Sequence, residues 1–224
     1  MSHFTVGVLV DRKGKKLEEL LAPYQENNKG DCPKEYLEFK DYTDEVLESY
    51  DDHKEEYKDL DTFAKEYHGY EKNQETNKYG YWENPNAKWD WYEVGGRWSN
   101  MILTKSGIKV DYAMLKDIDW SCMKARAKKN AEKTWDSNPQ GIERYFSGIY
   151  KNDTRESFIK RQSEFATYAV ITPDGKWHSK GDMGWFGISS EGKDDSTKWA
   201  DNFYDAFIKD ADQELILVIV DCHI

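Results

Sequence analysis

The chain has 224 residues, of which 38% are apolar, 33% charged and 15% aromatic, and its formal net charge is -11. That charge argues against a surface that follows the phosphates of long nucleic acid, and no apolar run approaches the roughly 20 residues of a membrane helix. The start lacks the basic stretch and cleavage site of a secretory signal, so an intracellular protein with no membrane partner is expected, folded as a single domain over residues 1–224. Three cysteines, Cys32, Cys122 and Cys222, are too few and too scattered for a disulfide framework or a zinc cluster and are read as reduced structural thiols.

In chain order, His3 to Val10 is β-branched and apolar on both faces, the pattern of a central strand covered on both sides. Lys15 to Ala22 suits a short helix that stops before Pro23. From Thr43 to Tyr67, apolar residues at helical spacing among acids and lysines predict one or two amphipathic helices, with Thr43 or Asp44 placed to cap. Residues 71–78 contain no apolar side chain and predict an exposed loop. Trp98 to Thr104 and Ile108 to Tyr112 flank a Lys-Ser-Gly turn and predict a hairpin, and Asp119 to Trp135 and Thr154 to Glu164 predict two helices. Phe165 to Thr172 and Lys176 to Ser179 form a second hairpin around Pro173-Asp174-Gly175. Ser196 is placed to cap a helix to Ile208, and Leu215 to Val220 is a second fully apolar strand. The expected fold is α+β: a single mixed or antiparallel sheet with its first and last strands central, flanked by helices.

The densest chemistry lies in residues 79–100, YGYWENPNAKWDWYEVGGRWSN, with four tryptophans and three tyrosines in 22 residues. If Trp89 to Tyr92 is extended, Trp89 and Trp91 share one face, while Asp90 and Tyr92 share the other. Gly95-Gly96 offers backbone amides to an anion, and Arg97 adds a planar fork suited to phosphate or carboxylate. Trp82, Trp89, Trp91 and Trp98 can stack a base, and Glu83 and Asp90 can select ribose or base donors. Trp185, in the Gly-rich stretch 181–187, can complete such a pocket. The same residues are equally accounted for as core tryptophans with a Gly-Gly turn.

A second group sits at the two ends. Asp221 and His223 lie two apart on a strand and share a face, as do His3 and Thr5, and antiparallel pairing brings His3 near His223. Two imidazoles and a carboxylate suit either a metal half-site or an acid and base pair in which Asp221 orients one ring. His3-Phe4-Thr5 echoes one half of the two-histidine phosphoesterase pattern, and the other half is missing. No Walker loop, GxGxxG, HExxH or GxSxG is present, and neither a cofactor nor a bound metal is expected.

MSHFTV at the start, ENPNAKWDWYEVGGRW in the middle, GKW and MGW later, and VDCHI at the end resemble a largely uncharacterised family of small phage-encoded proteins, along the whole chain. By analogy with phage counter-defence proteins, the resemblance implies action in the host cytoplasm on a nucleotide immune signal, such as a cyclic dinucleotide or an ADP-ribose derivative. The first expectation is a sponge that binds and sequesters the signal in the aromatic and Arg97 pocket. The alternatives are a phosphodiesterase using His3, His223 and Asp221, and an acidic inhibitor that masks a host enzyme with residues 43–70. A homo-oligomer is compatible with all three.

Overall fold

The structure is a computed structural model that describes residues 2–137, 154–181 and 193–224, without the side chains of 193–195. Where sequence reasoning groups the chain as one domain, its contacts group it as two compact units: Met1–Leu21 with Trp91–Ile224, and Ala22–Asp90.

The first unit begins with β1 (His3–Val10) and α1 (Leu17–Leu21), and the second unit supplies β2 (Glu38–Asp41), α2 (Thr43–Tyr50), α3 (Leu60–Phe63), β3 (Glu71–Lys72) and β4 (Tyr79–Glu83). The chain returns to the first unit at β5 (Trp91–Val94), followed by β6 (Ile102–Leu103), β7 (Lys109–Val110), β8 (Tyr112–Met114), α4 (Trp120–Ser137) and α5 (Arg155–Ser163). It ends with β9 (Ala169–Ile171), β10 (Trp177–Ser179), α6 (Lys193–Phe207) and β11 (Ile216–His223). Among the described residues no helix is long and apolar enough to cross a membrane.

The main sheet has the order β10-β9-β1-β11-β5, with β8 sharing β11's outer edge. The first and last strands are central and pair antiparallel over their whole length, from His3 opposite His223 to Val10 opposite Ile216. β9 runs parallel to β1, so the sheet is mixed. Directly opposed residues of an antiparallel pair point the same way, which gives β1 and β11 two shared faces. On one, Leu9, Leu217 and Ile219 join Val170, Phe203, Ile208 and Leu115 in the main core. On the other, Phe4, Val6, Val8, Val220 and Cys222 are also buried. Each such aliphatic side chain contributes about 1.5 to 3 kcal/mol when fully buried, which explains why both strands read as continuous apolar runs. The last strand runs three residues past the predicted Val220, so Asp221 and His223 belong to its ladder.

The second unit holds a three-stranded antiparallel sheet, β2-β4-β3, and a core of Val46, Phe63, Ala64 and Tyr79. Residues 71–78, expected as a loop, begin with β3 before an Asn73-centred turn, because backbone pairing to Tyr79 and Gly80 does not require apolar side chains. The predicted helical stretch 43–67 breaks after Tyr50 and resumes as α3 and a π-helical turn, Ala64–His68. Neither Thr43 nor Asp44 caps it. The Asp41 carboxylate does so, accepting from the Thr43 N–H at 3.0 Å and its hydroxyl at 2.7 Å.

Elsewhere the differences are local. A 3-10 turn, Ala22–Tyr24, carries the chain through Pro23 after α1. The Trp98 end of the predicted hairpin is a 3-10 turn, and the paired residues shrink to β6 and β7. α6 starts at Lys193, so Ser196 is inside the helix and not its cap. α5 is opened by a Thr154–Ser157 capping box, and the turn before β10 places Gly175 at φ 88°.

Candidate functional site

At one end of the main sheet the core face turns polar. His3 and Thr5 of β1 stand opposite His223 and Asp221 of β11, and β11 in turn places His223 opposite Trp91 and Asp221 opposite Glu93. The register therefore lays out two rows on one face, His3-His223-Trp91 and Thr5-Asp221-Glu93. This is the face that continues into Leu9, Ile219 and Leu217, so a polar cluster abuts the apolar core.

His3 Nδ1 lies 2.8 Å from Asp221 Oδ1. A carboxylate only accepts, so Nδ1 carries the proton and Nε2 bears the lone pair of the neutral ring. Asp221 is 2% exposed, and its second oxygen accepts the Arg97 backbone N–H at 2.9 Å. The His3 and His223 rings meet edge to face with centroids 5.0 Å apart, and the Trp91 indole stacks on His223 at 5.4 Å with 18° between planes. His3 also meets the Trp91 ring edge-on at 5.4 Å. Trp91 is 36% exposed and forms the outer wall of the cluster. Thr5 accepts the Tyr168 N–H at 3.1 Å, which ties β1 to the start of β9.

The Gly95-Gly96 turn holds this arrangement together. Gly95 and Gly96 have φ of 75° and 49°, and a Cβ on Gly96 would stand 2.5 Å from the Asp221 carboxylate. A Cβ on Gly95 would stand 2.6 Å from the Asp111 carboxyl carbon. Buried Asp221 and half-buried Asp111 thus press against backbone that favours glycine. The Gly95 N–H donates to the Ile219 carbonyl at 2.8 Å, so of the two amides expected to cradle a phosphate that of Gly95 instead extends the sheet, and the amide of Arg97 serves Asp221. The Arg97 side chain is exposed and forms no salt bridge among the described residues.

The aromatic stretch does not form one strand. Its residues through Asp90 belong to the second unit and those from Trp91 to the first. Trp89, in the second unit, makes an isolated bridge to Gln25 and is 4% exposed, and Trp91, in the first, is 36% exposed, so the continuous strand that would give them one face does not form. The reason is a bend at Asp90, whose carboxylate faces Asn28 Nδ2 at 3.5 Å. Trp89 is core and not a stacking platform. In the second unit, Trp82 is 38% exposed and packs edge-on against Phe39, while Glu83 is paired with Lys40 at 3.2 Å. In the first unit, Tyr92 turns away from the histidines, opposite Cys222, where burial first and then Glu18 push its phenol pKa up. Trp98 packs against the main core. Trp185 lies outside the described residues.

Of the predicted residues, His3, Asp221, His223, Trp91, Gly95, Gly96 and Arg97 are therefore brought together in the first unit, where Tyr92 and Trp98 lie apart from them, while Trp82, Glu83, Trp89 and Asp90 belong to the second unit. Sequence reasoning missed Asp111 and Glu93. Asp111 receives the Asn100 N–H at 2.5 Å and the Ser99 hydroxyl at 3.4 Å, and a lone Asp after a hairpin carries no signal of that role. Cys222 sits between Asp221 and His223 but faces the other side, and burial raises its thiol well above the ordinary value, so it is no nucleophile. All three cysteines are free thiols. Among the described residues, no three His, Cys, Asp or Glu side chains gather as a metal-ligand set. The chain matches no family model, no curated protein and no solved structure.

Proposed function

We propose that the chain is an acid–base phosphodiesterase that cleaves a small nucleotide signal at the His3-Asp221-His223 cluster, in the setting of phage counter-defence. The observation that carries this reading is the cross-strand pairing of His3 with His223 while Asp221 fixes the His3 ring at 2.8 Å. Acid–base cleavage of a phosphodiester needs two proton-transfer groups. One imidazole removes a proton from the attacking hydroxyl or water as the new P–O bond forms, and the other gives a proton to the departing oxygen as the old P–O bond breaks. The guanidinium of Arg97, the residue whose own backbone amide holds Asp221, suits the phosphate, and the half-exposed Trp91 suits a base.

Capture without cleavage is the second reading, and the exposure of Trp91 and Arg97 favours it, since neither donates or accepts a proton in turnover. One experiment separates them. The chain is incubated with cyclic dinucleotides and ADP-ribose derivatives, denatured by heat, and the released compounds are resolved by chromatography. Product that grows with time, follows a bell-shaped pH dependence and disappears in His3→Ala and His223→Ala is the expected result. Intact ligand recovered in full overturns cleavage in favour of capture.

A further inference from the structure

A cavity of about 330 Å³ opens in the first unit between β6, β7, α4 and the chain leaving α5. That volume is at the small end of sites that hold organic ligands. Its floor is apolar and fixed: the Leu103 N–H points to the Met123 sulfur at 3.4 Å, and Phe165 packs edge-on to Trp120 and Phe203 at 5.2 and 5.8 Å. Its rim is cationic. Lys109, Lys124 and Arg126 stand against one carboxylate, Glu164, which Lys124 already pairs at 2.5 Å.

Lys109 and Arg126 form no salt bridge among the described residues, although the chain carries 43 acidic residues against 32 basic ones. Their charged ends are therefore open to an anion at the rim of an apolar hollow. Three amide side chains, Asn100, Asn130 and Gln162, complete the wall. Asn100 has φ of 63°, a conformation that side chains other than glycine adopt at a cost, and the Asp111 carboxylate holds it there through the Asn100 N–H.

We propose that this cavity binds a small anion bearing a flat heteroaromatic ring, with a purine mononucleotide as its representative. Lys109 and Arg126 take the phosphate, the amides take ring nitrogens and exocyclic groups, and the floor takes the ring. A fatty acid would leave the three amides against hydrocarbon, and inorganic phosphate would leave the floor wet. The inference does not depend on the phosphodiesterase reading.

The test is isothermal titration of the full chain with AMP, and with adenosine and inorganic phosphate as fragments. A Trp91→Ala/Arg97→Ala chain is titrated in parallel, so that nucleotide held at the histidines is accounted for. The expected result is a saturable AMP site that persists in the Trp91→Ala/Arg97→Ala chain, each fragment binding at least tenfold more weakly there, and at least a tenfold loss when Lys109→Glu/Arg126→Glu is added to that chain, with an unchanged melting temperature. Both residues are exposed, so these substitutions leave the core intact. AMP binding that survives the charge reversals, that vanishes in Trp91→Ala/Arg97→Ala, or that is absent at millimolar AMP overturns the proposal.

Discussion

Asp221 accepts from two fixed donors, the His3 ring and the Arg97 amide, and being 2% exposed it has no water to replace either. Asp221→Asn preserves volume but turns an NH₂ toward one of the two donors. The expected cost is about 1 to 3 kcal/mol of stability from the mismatched buried pair, read from a thermal melt. Turnover should fall about 10² to 10⁴-fold, because the His3 ring loses its fixed tautomer. Unchanged turnover in a folded Asp221→Asn protein removes Asp221 from the mechanism. Gly96→Ala probes the same contact from the backbone side: a methyl 2.5 Å from the carboxylate at φ 49° forces Asp221 to move. A loss of more than about 1 kcal/mol is expected, together with lost activity. An alanine variant that melts and reacts as the parent does would show that the turn gives way freely.

Trp89 and Trp91, two residues apart, separate core from site. Trp89→Ala should cost about 3 to 5 kcal/mol as a buried large-to-small change. Trp91→Ala should leave most of the stability and weaken ligand binding by about 1 to 3 kcal/mol, measured by titration. If the two variants behave alike, the bend at Asp90 does not divide them. Acid tests α2. The Lys78 hydrogen bond first, then the Thr43 hydroxyl and amide, hold the Asp41 carboxyl at about 2 against an ordinary 3.8. A depressed folded value means that this contribution is complete above 3.8 and is lost as pH falls through about 2. The Thr43 amide should lose its exchange protection in that window, and in Asp41→Asn should be unprotected throughout; protection independent of pH in the parent would deny Asp41 its capping role. The central strands and the His3-Asp221-His223 grouping were legible in the sequence, because period-two alternation with apolar runs determines both faces and cross-strand register follows from pairing the two ends. The fate of the tryptophans was not legible. Alternation assumes a continuous strand, and a single bend at Asp90 cancels it. Nor could spacing show that the Gly95 and Arg97 amides already have partners, since Ile219 and Asp221 lie more than 120 residues away.

At the scale of the molecule, β11 carries an unusual share of the first unit, bonded to β1 on one side and to β5 and β8 on the other. Those partners come from residues 3–10 and 91–114, so the sheet cannot close until the last strand arrives, and its contacts are almost all non-local. The second unit has a sheet and core whose residues all lie within Ala22–Asp90. Deleting residues 216–224 should therefore remove the first unit's sheet and leave the second unit's. Without β11, β1 loses all eight of its register pairs on that side, and Leu217 and Ile219 leave the main core. Hydrogen exchange followed by mass spectrometry reads this directly. Protection in peptides from residues 3–10, 91–114 and 169–179 should collapse, while peptides covering α2, α3 and β4 keep theirs. Loss of protection across 22–90 as well would show that the two units fold as one cooperative body and that the last strand governs both.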